Sequence, residues 1–375
     1  MPKIPEQKSI DTYSPDVVNS TLNASPVLNS TIKTRATADP ASLKEIGAVI
    51  MSNVSLQNEF LDTLANRIGL VIVTSKMYEN PLRLLKRGIM EFGETIEEIF
   101  VTLAKPFHYD IDVASRELYK IEKPDVRTAF YVINYKEFYK ATINEIEMQS
   151  AFLSYSGIAN LIAKIVEQMY SGAEYDEFQV MMYMTAKHLL AGNVNETQIP
   201  TVNKANMTDI TTIIKGLSNK MQFMKPTYNI AKVYNFSRPS DQYVLISSEY
   251  DASMNVNVLA SAFNKSYADF LQQRILIDDF GSLDKDRLNL IFKDYPAGVY
   301  TEISDSDLQK LNQIPAMIID KNWFTVYDNR NKFRENYNGQ GDYWNYFYHQ
   351  WKTMAISPFA NATVFVPEGI SLKAA

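Results

Sequence analysis

All three tryptophans of the chain, Trp323, Trp344 and Trp351, fall in one stretch near its C-terminal end, and around them Tyr343, Tyr346, Phe347 and Tyr348 crowd together. Aromatic side chains bury a large area each, so whatever fold this chain adopts must pack its earlier segments against this seam. Residues 316–319 and 323–327 are apolar and partly β-branched, with Asp320, Lys321 and Asn322 between them; they read as two strands around a turn. Residues 362–366 read as a further strand. The aromatic run could also serve as a sugar- or base-stacking platform. It has no interleaved basic residue before Lys352, and a nucleic-acid platform needs such charge, so core or subunit interface is the preferred reading.

Composition narrows the chemistry. The 375 residues carry 37 basic and 43 acidic side chains, net −6, which argues against a dedicated nucleic-acid binder while leaving room for a local basic patch. There is no cysteine, hence no disulfide and no thiolate metal site, in keeping with a reducing compartment. His108, His188 and His349 are far apart in sequence. No apolar run approaches the roughly 20 residues that span a bilayer, and the N-terminus has no signal-peptide core, so no membrane partner is expected. No phosphate-binding, dinucleotide, zinc-protease or nucleophile-elbow motif occurs, and no cofactor is implied. The Asp284/Asp286 and Asp305/Asp307 pairs lack the glycine and distal glutamate of a calcium loop and read as exposed loop residues. Glu97 and Glu98, adjacent in a strand, point to opposite faces and make poor catalytic partners.

Along the chain, residues 1–40 form a polar arm: 18 of the 40 are Ser, Thr, Asn or Pro. Such a segment cannot by itself bury enough surface to offset its ordering entropy, so it is expected to be disordered or laid along a neighbouring surface. Residues 43–70 show helical spacing with Gly69 as a stop, and 71–73 begin a strand. Residues 76–102 are a thinly apolar excursion with segregated charge. Lys76, Arg83, Lys86 and Arg87 sit on the outgoing limb; Glu91, Glu94, Glu97 and Glu98 sit on the return. A two-stranded hairpin of this kind is marginal alone in water and is read either as reaching for a partner or as a solvated hairpin with incidental charge. Residues 106–139, with apolar pieces at 109–113 and 129–133, read as strand and loop material, and a strand and helix pair of a peripheral layer is expected there. Residues 145–171 carry one apolar stripe and would form a helix of roughly 40 Å ending at Gly172; a second helix over 175–190 ends at Gly192. After a polar linker at 193–204, alternating elements follow: a helix over 209–221, a strand over 243–247, short helices over 256–263 and 267–273, and a strand over 274–277. That alternation fits a compact α/β unit.

The strings DKNWFTVYDN, YWNYFYHQW and PFANATVFV resemble the C-terminal part of the major capsid proteins of small, protein-primed podophages, and earlier pieces agree in the same order: Asn66–Val71 as NRIGLV, Asn80-Pro81-Leu82, Thr95–Ile99 as TIEEI, and Ala173–Glu177 as AEYDE. The resemblance runs from about residue 43 to residue 366. It implies an α+β class and the tailed-phage major capsid (Johnson) fold. The parts would be an N-terminal arm (1–40), a peripheral domain (41–75 and 103–203, with a long spine helix), an extended loop (76–102), a central axial domain (204–315) and return strands of the peripheral domain (316–375). The immunoglobulin-like addition of some relatives is not expected. The implied function is structural rather than enzymatic: hexamers and pentamers of the chain itself, closing into an icosahedral or prolate phage head. Scaffolding protein would assist assembly, a portal would occupy one vertex, and double-stranded DNA would be enclosed without sequence-specific binding. Assembly would occur in the host bacterial cytoplasm and the product would be the virion capsid. The eight charged residues of the excursion, Lys76, Arg83, Lys86, Arg87, Glu91, Glu94, Glu97 and Glu98, would contact the adjacent subunit. The alternatives are a soluble carbohydrate-active hydrolase, or another virion protein such as a portal or tail subunit.

Overall fold

The computed structural model describes residues 10–37, 39–53, 55–60, 63, 78–90, 95–116, 119–144, 167–203, 205–254 and 273–372. The expected strand at 71–73, most of the helix over 145–171 and the short helices at 256–272 lie outside the described residues. The chain divides into two compact units, one of Met1–Glu79, Lys136–Tyr175 and Arg330–Trp351, the other of Asn80–Tyr135, Asp176–Asn329 and Lys352–Ala375.

In the first unit the N-terminal segment is helical and packed. Helix α1 spans Ile10–Ala24, α2 spans Pro26–Thr31 and α3 spans Pro40–Met51. Val18, Leu22, Leu28 and Ile32 are buried in one cluster with Trp344, Tyr346 and Tyr348 of strand β10 (Tyr343–Ile356) and Ala141 and Ile143 of strand β4 (Tyr135–Asn144). The expectation of a disordered or outward-lying arm is therefore corrected for the described part. Its apolar residues are sparse but correctly spaced, and polar side chains act as clamps. Asn19 both donates to and accepts from the Ala36 backbone at 2.7 Å. Ser25, as N-cap of α2, accepts from the Leu28 amide at 3.3 Å, the usual use of a serine there. Asp39 caps α3, with Pro40 in its first turn. The helical spacing over 43–70 conceals a break. Helix α3 ends at Met51, and Asn53 restarts the next turn by accepting from the Ser55 amide at 2.9 Å.

The second unit is built on a five-stranded sheet of order β5-β11-β8-β6-β7. Its strands are β5 (Asn195–Ile199), β6 (Gln242–Ser247), β7 (Arg274–Ile277), β8 (Ala316–Asp320) and β11 (Ala362–Pro367). β11 runs parallel to β5 and antiparallel to β8; β6 runs antiparallel to β8 and parallel to β7. Both faces are covered, as a continuous apolar strand requires. Leu245, Met317, Ile319, Val364 and Val366 join one cluster with helix α5 (Gly172–Leu190), α8 (Lys285–Phe292) and α9 (Asp305–Leu311). Their neighbours Val244, Ile246, Ala316, Ile318 and Phe365 join another with α6 (Met207–Lys220) and α7 (Ser248–Met254). Two-residue periodicity assigns each side chain to its layer. β11 and β8 are interior strands of this sheet. The turn between β8 and strand β9 (Phe324–Asn338) links two sheets rather than a hairpin, because β9 lies in a four-stranded sheet of order β1-β9-β10-β4, with β1 at Gly88–Ile89.

Helix boundaries follow the same logic. Gly172 does not stop the preceding helix: a π-turn at Glu167–Ser171 runs directly into α5. Gly192 does stop α5. It adopts φ 67°, and the bonds from Asn193 N to His188 O and from Gly192 N to Leu189 O, both 3.0 Å, form the paired closure of a left-handed cap. The strand and loop material expected over 106–139 contains a short helix, α4 (Ile111–Arg116), and a strand over Val126–Val132.

Candidate functional site: a buried charge cluster and an unpartnered hairpin

Among the described residues no group of acidic and histidine side chains could hold a metal ion, and no helix is long and apolar enough to cross a membrane. What stands out in the second unit is charge sealed inside it and apolar surface left outside.

Glu177, on α5, is completely buried, and Lys352, on β10, is 1% exposed at its side chain; the two form an ion pair. Lys86 Nζ lies 2.9 Å from Glu177 Oε2 and 2.7 Å from Asp328 Oδ2. Asn80 donates to Glu177 Oε1 at 2.7 Å, and its own carbonyl accepts from the Leu82 amide at 2.8 Å. Two cations thus balance two carboxylates, with the remaining Glu177 oxygen satisfied, the condition under which buried charge is tolerated. Burial alone would raise the Glu177 carboxyl; Lys352 and then Lys86 overcome that and hold it down at about 2. Burial would lower Lys86, but Glu177 and Asp328 prevail and raise it. Leu82 and Leu85 anchor the same segment in the core, and β1 adds two residues parallel to Tyr327 and Asp328.

The excursion is therefore drawn differently from the hairpin expected within 76–102. Its outgoing limb is docked within its own unit. The return strand β2 (Thr95–Val101) pairs antiparallel with β3 (Val126–Val132), from Thr95↔Val132 to Val101↔Val126. One face of this two-stranded sheet is tied down. Phe100 stacks on Phe359 at 5.6 Å, Tyr131 donates to Glu98 at 2.5 Å, Arg87 pairs with Glu98 at 3.2 Å, and Arg127 donates to Ala231 O at 2.6 Å. On the other face Ile99, Val101, Val126, Phe130 and Val132 are 46–63% exposed. Beyond the strands, Phe107, Tyr109, Ile111, Tyr119 and Ile121 are more exposed still, at 67–90%. Large apolar side chains gathered in this way on one open strand face mark an interaction site.

Of the eight charged residues expected at a subunit contact, Lys76, Glu91 and Glu94 lie outside the described residues. Lys86, Arg87 and Glu98 have their ionic partners inside the chain, because the segment carrying them is held by the core. Arg83 and Glu97 are exposed, Glu97 on the open face of the hairpin. Sequence reasoning missed the partners Glu177, Asp328 and Lys352. The available signal was parity: Lys352 follows Trp344, Tyr346, Tyr348 and Gln350 on the inward-facing positions of β10, where a lysine needs a buried anion.

Comparison with known proteins bears on this arrangement. A family model described as Phi29-like phage major capsid protein matches residues 21–366. Major capsid proteins of Bacillus phages PZA and B103 are 31% and 33% identical over 359 residues, 95% of this chain and 73% of each relative. Among solved structures, the capsid of Staphylococcus phage Andhra aligns with TM-score 0.60 at 19% identity, covering 79% of this chain and 86% of that one. A structure of head fiber and inner core protein of bacteriophage P68 aligns with TM-score 0.57 at 17% identity, covering 78% and 86%. The fold is that of tailed-phage capsids. The chain belongs to the Phi29-like phage major capsid protein family, and is accordingly a structural protein of the virion shell rather than an enzyme.

Proposed function

We propose that this chain assembles as pentamers and hexamers of itself into an icosahedral or prolate head around double-stranded DNA, with the β2–β3 hairpin laid across an adjoining copy. Scaffolding protein assists, a portal takes one vertex, and assembly proceeds in the host cytoplasm. The observation that carries this reading is the open hairpin face: five β-branched or aromatic side chains, 46–63% exposed, on strands whose other face is held down. An isolated two-stranded sheet is marginal in water; a neighbour covering this face would complete it. Repetition of one such heterologous contact around a symmetry axis closes a ring. Among the described residues of the charged set, Arg83 and Glu97 are the exposed contact candidates.

Negative-stain microscopy of the expressed protein, with and without scaffolding protein, tests the reading. Capsomers, tubes or closed shells are expected. Single compact particles under both conditions, or rings of one fixed size, would overturn it.

A further inference from the structure

Three strands of the first unit present a second surface. Along β10, side chains alternate between the core and the opposite face: Trp344, Tyr346 and Tyr348 are buried, while Phe347, His349 and Trp351 are half-buried. Contacts fix what lies beside those outward residues. Arg330 of β9 stands over the Trp351 ring at 4.6 Å, and Lys136 of β4, the strand on the opposite edge of β10, lies 5.2 Å from the same ring. Lys140 lies 5.9 Å from the Phe347 ring, and Phe138 packs against Phe347 and His349 at 5.8 and 5.6 Å. Thr142 donates to Asn345 at 2.7 Å in the same register. Strand alternation adds Lys332, Arg334 and Asn336 to this face.

The result is a flat lattice in which cationic strands flank an aromatic one. Arg330, Lys332 and Arg334 lie on one side, Lys136 and Lys140 on the other, and Phe138, Phe347, His349 and Trp351 between and beside them. No carboxylate occupies these positions. Arg330, Lys332, Arg334 and Lys140 form no ion pair among the described residues, and Lys136, Lys140, Lys332 and Arg334 are exposed. In a chain of net charge −6, five cations on one carboxylate-free face are a strong local departure. Same-face residues along a strand are roughly 6.6 Å apart, so the cations form two parallel rows able to take successive phosphates, while Phe138, the exposed ring of the face, offers a π-face to a base.

The geometry points to this face as a sequence-independent nucleic-acid site, its cations taking the phosphate backbone and the exposed Phe138 ring, beside half-buried Phe347 and His349, meeting the bases of any unpaired strand. Charge complementarity requires an anionic occupant, and the interleaved rings favour nucleic acid over an acidic polypeptide because every base has a stacking surface. The inference does not depend on the shell reading: it concerns the single chain and is read by binding, not assembly.

The test is fluorescence anisotropy of the unassembled full-length chain with a short oligothymidine and with a mixed-sequence duplex, across a salt series. Both should bind, the duplex with affinity falling by a log–log slope of about −0.9 per phosphate neutralised. The variant Lys140→Gln/Lys332→Gln/Arg334→Gln should have a duplex slope shallower by roughly 2–3. Lys220→Gln/Lys225→Gln/Lys293→Gln, at exposed positions of the other unit, should leave the slope unchanged. Circular dichroism confirms that both variants are folded. Absence of binding, an equal slope in the face variant, or equally tight binding of poly-glutamate would overturn the assignment, the last by pointing to an acidic protein partner.

Discussion

Lys352 and Glu177 are sealed within the second unit, while in the same unit Phe130 is 63% and Ile99 57% exposed. The usual arrangement is inverted: charge inside, hydrocarbon outside. The two regions differ in where their partners are. Each charge of the buried cluster meets an opposite charge from the same chain, so the cluster is complete in a single copy. The hairpin's open face has nothing of its own chain upon it among the described residues. The docked limb bearing Lys86 and the hairpin bearing Glu98 are neighbours in sequence, joined through Arg87, so one stretch supplies both an internal anchor and an outward-reaching strand.

The largest effect is expected where the completeness of the cluster is broken. Glu177→Gln leaves two cations, buried Lys352 and largely buried Lys86, sharing the single carboxylate of Asp328 and should cost about 3–5 kcal/mol, read from urea unfolding monitored by circular dichroism; a loss below about 1 kcal/mol would reduce the cluster to a surface-like pair. A comparable loss is expected in the first unit from Leu22→Ala. Leu22 is fully buried beneath the aromatic strand, and the truncation should cost about 2–5 kcal/mol. Unchanged stability would mean that α1 is not held in place in a single copy.

The same cluster sets an acid limit. Glu177 is held at about 2, below its ordinary 4.5, so the folded state binds this proton less readily than the unfolded chain. Its contribution is fully present above about pH 4.5 and is lost as pH falls through about 2. Acid titration of wild type beside Glu177→Gln should show that the stability difference between them narrows across this window; a gap that stays constant would assign the pH dependence elsewhere.

Much of this architecture is legible in the residues. The YVLIS strand appears as β6, the 209–221 helix as α6, and the apolar 316–319 and 362–366 runs as strands, because fully buried strands and one-faced helices have strong local patterns. What escaped were features made by distance. The N-terminal helices carry few apolar residues, and their burial depends on an aromatic strand some 300 positions away. The partner of strand 95–101 is 126–132 rather than the limb before it, a choice made by the docking of Leu82 and Leu85. The basic face escaped for a similar reason. Within β10 no cation is interleaved before Lys352; Lys136, Lys140, Arg330 and Arg334 arrive from the flanking strands.

The smallest effect on the folded chain should accompany the largest on its assembly. Ile99→Asp/Phe130→Asp alters only the open hairpin face, so unfolding stability should move by no more than about 0.5 kcal/mol per site. Sedimentation velocity of this double variant beside wild type, under conditions where wild type forms capsomers or shells, is the most direct test. The account predicts that the variant sediments as a folded monomer. A variant that assembles like wild type would contradict the claim that this face is completed by an adjoining copy.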